Sequence, residues 1–175
     1  MNITGGKYNS LKIKTADFDN IKPTLSKIRQ AVFNSLLNQG EFNTFCDLFA
    51  GSGIMSFEAV SRGYQVVAIE KDRQTYNIIK NNSKKLNIPF EIINYDAIKF
   101  LQKTDKTFDV FYIDPPYQAG LYDKVLYEIE NKNLLNNNGI IILEKPQSLE
   151  VNLYNFNCFK EKKYSDKTIC YLRKK

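Results

Sequence analysis

Asp114-Pro115-Pro116-Tyr117 follows the apolar run Phe108–Ile113, and residues of these types in this order suggest a chemistry. Proline has no N–H with which to extend a ladder or a helix, and it pushes the residue before it out of the α region. A strand that stops this way leaves one carboxylate and its neighbouring carbonyls as a stiff ledge of acceptors, with the face of Tyr117 beside it. A planar group carrying an exocyclic NH2 suits that ledge: it donates two hydrogen bonds while its ring stacks on the tyrosine. The tetrapeptide alone reads equally well as a strand followed by an Asp-Pro turn.

A second set of residues suits a cofactor. Asp47-Leu48-Phe49-Ala50-Gly51-Ser52-Gly53 runs from an expected strand into an expected helix. The glycines permit a tight turn and close approach of a ligand to the backbone, and the helix N–H groups then point outward. This is not GxGxxG, because Ser56 stands where that pattern continues with glycine or alanine. A carboxylate at the strand end disfavours a pyrophosphate and favours an ammonium or sulfonium charge, which counts against a nicotinamide dinucleotide and for S-adenosyl-L-methionine. Glu70, 17 residues beyond Gly53, has the spacing of a carboxylate that takes two ribose hydroxyls; the plainer reading is a solvated strand end. Asp96, before Ala97, can receive an adenine amino group or simply cap the next helix.

Bulk properties narrow the chemistry further. The 175 residues suffice for one buried core, and 43% hydrophobic with 25% charged residues is an ordinary globular balance. No apolar run of membrane-spanning length and no signal-peptide pattern is present, so a cytoplasmic protein is expected. Histidine is absent, which excludes histidine bases and the commonest metal ligands. Cys46, Cys158 and Cys170 lack CxxC spacing and read as reduced core thiols, with no metal expected. The net charge of +6 is uneven: residues 1–40 carry +4, 41–159 carry −3 and 160–175 carry +5. Basic ends on a mildly acidic body suit a polyanion, although lysine-rich termini also serve solubility alone.

The elements that must position these residues follow from periodicity. The first fourteen residues, with Gly5-Gly6, read as a hairpin or extended arm. A helix capped by Thr24 or Ser26 follows, with Ile28, Val32 and Leu36 on one face, and ends near Gly40. Strands are expected at 44–49, 65–69, 89–94, 108–113 and 140–144, with helices at 54–62, 73–86, 97–102 and 121–131. In the 73–86 helix, Ile78, Ile79 and Leu86 are expected inward. Residues 156–164 and 168–173 flank a short loop and read as a hairpin. The fold class is therefore α/β: a Rossmann-like, doubly wound, mostly parallel sheet with a C-terminal antiparallel β-hairpin. Ligands in such sheets bind at the carboxyl ends of the strands. An extension, 1–40, precedes the main domain, 41–175, within one globular unit.

The ordered set Asp47–Gly53, Glu70, Asp96 and Asp114–Tyr117 resembles class I S-adenosylmethionine-dependent methyltransferases acting on base amino groups. Ile3-Thr4-Gly5-Gly6-Lys7, Lys22-Pro23-Thr24, Ile28-Arg29-Gln30-Ala31-Val32-Phe33-Asn34, Phe57-Glu58-Ala59 and Ser61-Arg62-Gly63 narrow the resemblance to the RsmD-type 16S rRNA guanine-N2 methyltransferases. Lys22 and Gln30 depart from the arginine and glutamate usual there. The resemblance implies Thr24, Asp47, Phe49, Ala50, Gly51, Ser52, Gly53, Glu70, Lys71, Asp96, Ala97 and Asp114 around S-adenosyl-L-methionine. It implies catalysis at Asp114, Pro115, Pro116 and Tyr117. Lys7, Lys12, Lys14, Lys22, Lys27 and Arg29 are candidate phosphate contacts on 16S rRNA in a small-subunit assembly particle, bound by a monomer. Competing readings are a DNA or other RNA adenine or cytosine amino-methyltransferase, a protein glutamine methyltransferase, and a non-catalytic RNA-binding assembly module. The short N-terminal extension leaves little room for a DNA target-recognition region, and glutamine methylation more usually goes with Asn-Pro-Pro-Tyr.

Overall fold

Short β-branched and aromatic runs alternate with helical stretches from Thr44 onward, and the backbone follows them. The computed structural model describes residues 1–14, 26–116 and 120–175, so Lys22, Thr24 and Tyr117 lie outside the described residues. The elements are α1 (Ser26–Leu37), β1 (Thr44–Asp47), α2 (Ile54–Ser61), β2 (Gln65–Glu70), α3 (Arg73–Leu86) and β3 (Glu91–Asn94). They continue with α4 (Ala97–Lys103), β4 (Phe108–Ile113), α5 (Leu121–Asn131), β5 (Leu135–Pro146), β6 (Phe156–Tyr164) and β7 (Lys167–Lys174). The strands form one sheet in the order β3-β2-β1-β4-β5-β7-β6. β1 to β5 are parallel, whereas β7 runs antiparallel to β5 and to β6. Strand order reverses at β1/β4, which fixes where a ligand crevice opens.

β5 starts earlier than its apolar run Ile140–Leu143. The polar stretch before it joins the sheet because Asn136 Nδ2 donates to Asp109 Oδ1 at 2.7 Å, across a register irregularity between Phe108 and Val110. α3 is capped at its start by Asp72, whose carboxylate accepts from Thr75 N and Oγ1 at 2.8 Å each, and at its end by left-handed Asn87. Its inward residues are Thr75, Ile79 and Asn82, with Ile78 and Leu86 only half-buried. Asn82 is buried because its amide pairs with the backbone of Lys14, accepting from N at 3.2 Å and donating to O at 2.7 Å.

Two apolar layers sandwich the sheet. One holds Ile3 and Ile13 with α1, α2 and Ile79 of α3 against Phe45, Val110, Tyr112, Ile142 and Tyr171; the other holds α4 and α5 against Leu48, Phe111, Ile113, Ile141 and Leu143. Each fully buried Leu, Ile or Phe contributes about 1.5–3 kcal/mol of transfer free energy.

The first fourteen residues fold back on themselves through an antiparallel Asn2–Lys12 bridge, and Ile3 and Ile13 enter the core. Gly6 has φ 75 and lies against the end of α2, where a Cβ would come 2.0 Å from Ser61 O. Its place there lets Lys7 N donate to Ser61 O at 2.6 Å. Beneath this arm is a fully buried carboxylate, Glu58. It accepts from Thr4 N at 2.9 Å, Thr4 Oγ1 at 2.8 Å, Arg29 Nε at 3.0 Å and Arg62 Nη1. Arm, α1 and α2 are thereby joined at one point, and removing a partner from such a buried pair costs about 3–5 kcal/mol.

The cysteines are free thiols, Cys46 and Cys170 buried and Cys158 half-buried. A bulge between Cys158 and Lys160 accompanies a grouping that their spacing does not suggest: the donor atoms of Cys158, Glu161 and Cys170 lie within 4.8 Å of one another. Among the described residues no helix is long and apolar enough to cross a membrane.

Candidate active site

β1, β2 and β4 finish on one edge of the sheet with Asp47, Glu70 and Asp114 at or just past their ends, and Asp96 follows β3 by two residues. Like charges gathered at one edge oppose folding unless something compensates them, and each of the four is compensated differently.

Asp47 is buried, and Ser56 Oγ, in the first turn of α2, donates to its Oδ2 at 2.6 Å. Its Oδ1 has no hydrogen-bond partner among the described residues. Burial pushes the carboxyl up to about 7; the Ser56 hydroxyl opposes this and the charge of Glu70 adds to it. A buried carboxylate with one oxygen left over is a receptor for a cationic group. The turn beside it leaves room: Gly51 has φ 52, and among the described residues a Cβ there would meet only Phe49 O, at 3.9 Å. The turn is held from below by Ala50 N donating to Ile69 O at 2.9 Å and Gly53 N to Ala50 O at 2.7 Å. Ser52 is buried, its Oγ 3.4 Å from Ile54 N, and Phe49 is half-buried. This donor set fits the ammonium and sulfonium charges of S-adenosylmethionine.

Glu70 is half-buried and is not merely a solvated strand end. Gly51 N donates to its Oε2 at 2.8 Å and Asp72 N to its Oε1 at 2.7 Å, so it fastens the glycine turn to the entrance of α3. Burial raises its pKa while these backbone donors oppose the rise. Each oxygen accepts more than one bond, which leaves capacity for ribose hydroxyls.

Asp96 caps α4, accepting from Lys99 N at 3.2 Å, and its other oxygen lies 3.1 Å from Lys71 Nζ. Burial pushes its carboxyl up, but the Lys99 N–H and the Lys71 ammonium outweigh this and leave it below its usual value. Ala97 is buried behind it, and Lys71 extends into solvent.

Asp114 is half-buried, with Pro115 buried and Pro116 exposed after it. Burial pushes its carboxyl up to about 7; the charges of Glu144 and Asp47 add to the rise and Lys167 works against it. The ladders of β4 end at Ile113, and among the described residues Asp114, Pro115 and Pro116 enter none. At neutral pH this carboxyl is poised between a hydrogen-bond acceptor and a proton holder.

Three further residues belong to this edge and were not singled out by spacing. Glu144 near the end of β5, Tyr112 of β4 and Lys167 at the start of β7 meet there: Tyr112 Oη donates to Glu144 Oε2 at 2.6 Å, and Lys167 Nζ donates to Oε1. The signal for Glu144 is the same as for Asp114, an acidic residue closing an apolar run.

Lys7, Lys12, Lys14 and Lys27 are exposed as phosphate contacts require, with Lys7 Nζ 5.3 Å from the ring centre of Tyr8. Arg29 corrects the expectation. It is buried, with Nε on Glu58 and Nη2 donating to Asn2 O at 2.8 Å, so its guanidinium anchors the arm and does not face solvent.

Comparison with known proteins places these features in a family. The family model described as conserved hypothetical protein 95 matches residues 1–173. The ribosomal RNA small subunit methyltransferase D of Buchnera aphidicola (subsp. Acyrthosiphon pisum) is 36% identical over 176 residues, covering 97% of this chain and 91% of that protein. The solved structure of Escherichia coli yhhF superposes with a TM-score of 0.88 at 24% identity, covering 100% of this chain and 98% of that one. The Thermus thermophilus 16S rRNA methyltransferase RsmC shares the fold, with a TM-score of 0.73 at 17% identity over 100% of this chain and 49% of its own. The sheet is thus that of the class I methyltransferases, and the chain belongs to the conserved hypothetical protein 95 family of RsmD-type proteins.

Proposed function

We propose that this protein methylates the exocyclic N2 amino group of a guanine in 16S rRNA of the small ribosomal subunit, with S-adenosylmethionine as donor. The observation that carries the reading is the Asp114-Pro115-Pro116 ledge, set on the same sheet edge as a buried carboxylate with an unused oxygen, Asp47, and the Gly51 turn. Family membership and the 36% identity to a ribosomal RNA small subunit methyltransferase D support ribosomal RNA as the substrate.

When bound, S-adenosylmethionine supplies an electrophilic methyl group on a sulfonium. Asp47 and the Gly51–Gly53 turn bind its cationic end, Glu70 its ribose hydroxyls and Asp96 its adenine side. A base amino nitrogen is a poor nucleophile because its lone pair is delocalised into the ring. Acceptors at Asp114 Oδ and the Pro115 carbonyl draw on both N–H bonds, favour a pyramidal nitrogen and aim the lone pair. Tyr117 stacks on the flipped base, worth about 1–3 kcal/mol. Asp114 holds the released proton at its carboxylate, which the raised value of about 7 suits at neutral pH. Orientation of the two reactants supplies most of the rate.

The arm 1–14 and α1 form the RNA-facing extension of the domain, through Lys7, Lys12, Lys14 and Lys27 and, outside the described residues, Lys22. The enzyme reads shape in a small-subunit assembly particle more than naked sequence, and it works as a monomer in the cytoplasm. Nucleoside digestion of 16S rRNA from a strain lacking the gene tests the reading. N2-methylguanosine is expected to fall, and to return with the wild-type gene but not with Asp114→Ala. An unchanged nucleoside profile overturns it.

A further inference from the structure

Side-chain alternation places a row of charges across the carboxyl ends of β1, β4 and β5 and the amino end of the antiparallel β7. Phe45, Tyr112, Ile142 and Ile169 all face the arm-side core layer. Two residues on from each of the first three, or two back from the last, lie Asp47, Asp114, Glu144 and Lys167 on that same face. Three carboxylates therefore confront one ammonium. Glu144 is fully buried and Lys167 nearly so, with 13% of its side chain exposed. Isolated burial of the Glu144 charge would cost several kcal/mol, and the Tyr112 hydroxyl and the Lys167 ammonium are what offset it.

Glu144 is also fastened to elements on either side of the ledge. Upstream, Tyr112, two residues before Asp114, donates its hydroxyl to the Glu144 carboxylate at 2.6 Å. Downstream, Tyr122 in the first turn of α5 is fully buried and donates its hydroxyl to Glu144 O at 3.1 Å. One residue of β5 is thus bonded both to the end of β4, just before Asp114, and to the first turn of α5.

We propose, building on the methyl-transfer reading above, that Glu144 and Lys167 are positioning residues for the acceptor ledge. Glu144 ties the end of β4 to the start of α5 on either side of the ledge, and Lys167 supplies the positive charge that faces Asp114 from across the sheet. Among the described residues, the charged or titratable groups facing Asp114 are Glu144 from β5, Lys167 from β7, Asp47 from β1 and Tyr112 from its own strand. Glu144 opposes ionisation of Asp114 and Lys167 favours it. Neutralising them one at a time has opposite consequences, which a purely structural role would not produce.

The test uses the full-length protein, wild type and the variants Lys167→Met, Lys167→Arg and Glu144→Gln. Two readouts are the pH profile of methyl transfer to small-subunit RNA and the carbon-13 NMR titration of the Asp114 carboxyl, which needs no activity. For Lys167→Met the acid limb and the Asp114 titration should both rise by about one pH unit or more. For Glu144→Gln they should fall, and Lys167→Arg should restore the wild-type position. Affinity for S-adenosylmethionine should stay unchanged. Lys167→Gln carries the same expectation should Lys167→Met fail to fold. Shifts of the same sign in the Lys167 and Glu144 variants, or no movement of the Asp114 titration, overturn the proposal. Absence of methyl transfer by the wild type would overturn the functional reading instead, with the NMR arm still deciding the role of the pair.

Discussion

Two aspartates five residues apart lie near the two ends of β4, and the sheet treats them in opposite ways. Asp109, near the start of the strand, accepts from Asn43 N at 2.8 Å, Thr44 N at 2.9 Å, Thr44 Oγ1 at 3.0 Å and Asn136 Nδ2 at 2.7 Å. Burial pushes its carboxyl up, but these donors outweigh that and hold it below its usual value. Asp114, past the end of the strand, has burial and two other carboxylates against it, and its value is raised. A carboxylate saturated by local donors is part of the frame. One left raised beside other carboxylates is kept that way at the expense of stability, as the proposed acceptor role requires.

The strongest way to break this contrast is to remove each carboxylate in turn. Asp114→Asn should lower single-turnover methyl transfer by about 10²–10⁴-fold, with the urea midpoint equal or higher. Asp109→Ala should do the reverse, costing about 2 kcal/mol of stability through stranded backbone donors while leaving turnover of the folded fraction unchanged. If both variants lost activity and stability together, the distinction between frame and working group would fail.

Stability against pH sharpens it. A carboxyl held low contributes stability above its unfolded value, lost as the pH falls through the folded value. A carboxyl held high does the opposite. Asp47 and Asp114, both raised to about 7, favour the folded state most when protonated. Their contribution is complete below about pH 4, the unfolded value, and is lost as pH climbs to about 7. The urea midpoint of the cofactor-free protein should therefore decline across that window, and the Asp47→Asn/Asp114→Asn double variant should flatten the decline. Asp47→Asn alone should weaken S-adenosylmethionine binding by about tenfold, as one charge-assisted contact is worth about 1.5 kcal/mol, measurable by calorimetry. The smallest effect is expected at the arm: each of Lys7, Lys12 and Lys14 changed to Gln should reduce the slope of log affinity for RNA against log salt by about 0.7–0.9.

Much of this arrangement is legible in the sequence, for a local reason. Each parallel strand is a short apolar run closed by a polar or acidic residue, so the strand ends and the residues at them come from one pattern. The parallel sheet with its terminal antiparallel hairpin, the glycine turn and the placement of Asp47, Glu70 and Asp114 at strand ends are readable for that cause. What is hidden depends on partners far along the chain. Glu144 looks like an ordinary strand end until β4–β5 register brings it to Tyr112, 32 residues away. Arg29 looks like one more basic residue of an RNA-facing helix until Glu58, 29 residues on, turns it inward. Asn82, polar on a helix face, is buried only because Lys14 offers it a backbone.

The strand order also determines what the molecule presents to other copies of itself. Among the described residues, the two edges of the sheet are β3, four residues long, and β6. β6 carries Lys160, Lys162 and Lys163 and is broken by the bulge between Cys158 and Lys160. A short edge on one side and a kinked, lysine-bearing edge on the other are poor templates for a strand from a neighbouring chain. The hairpin that closes the sheet next to the Glu144–Lys167 pair thus doubles as a guard against edge-to-edge aggregation.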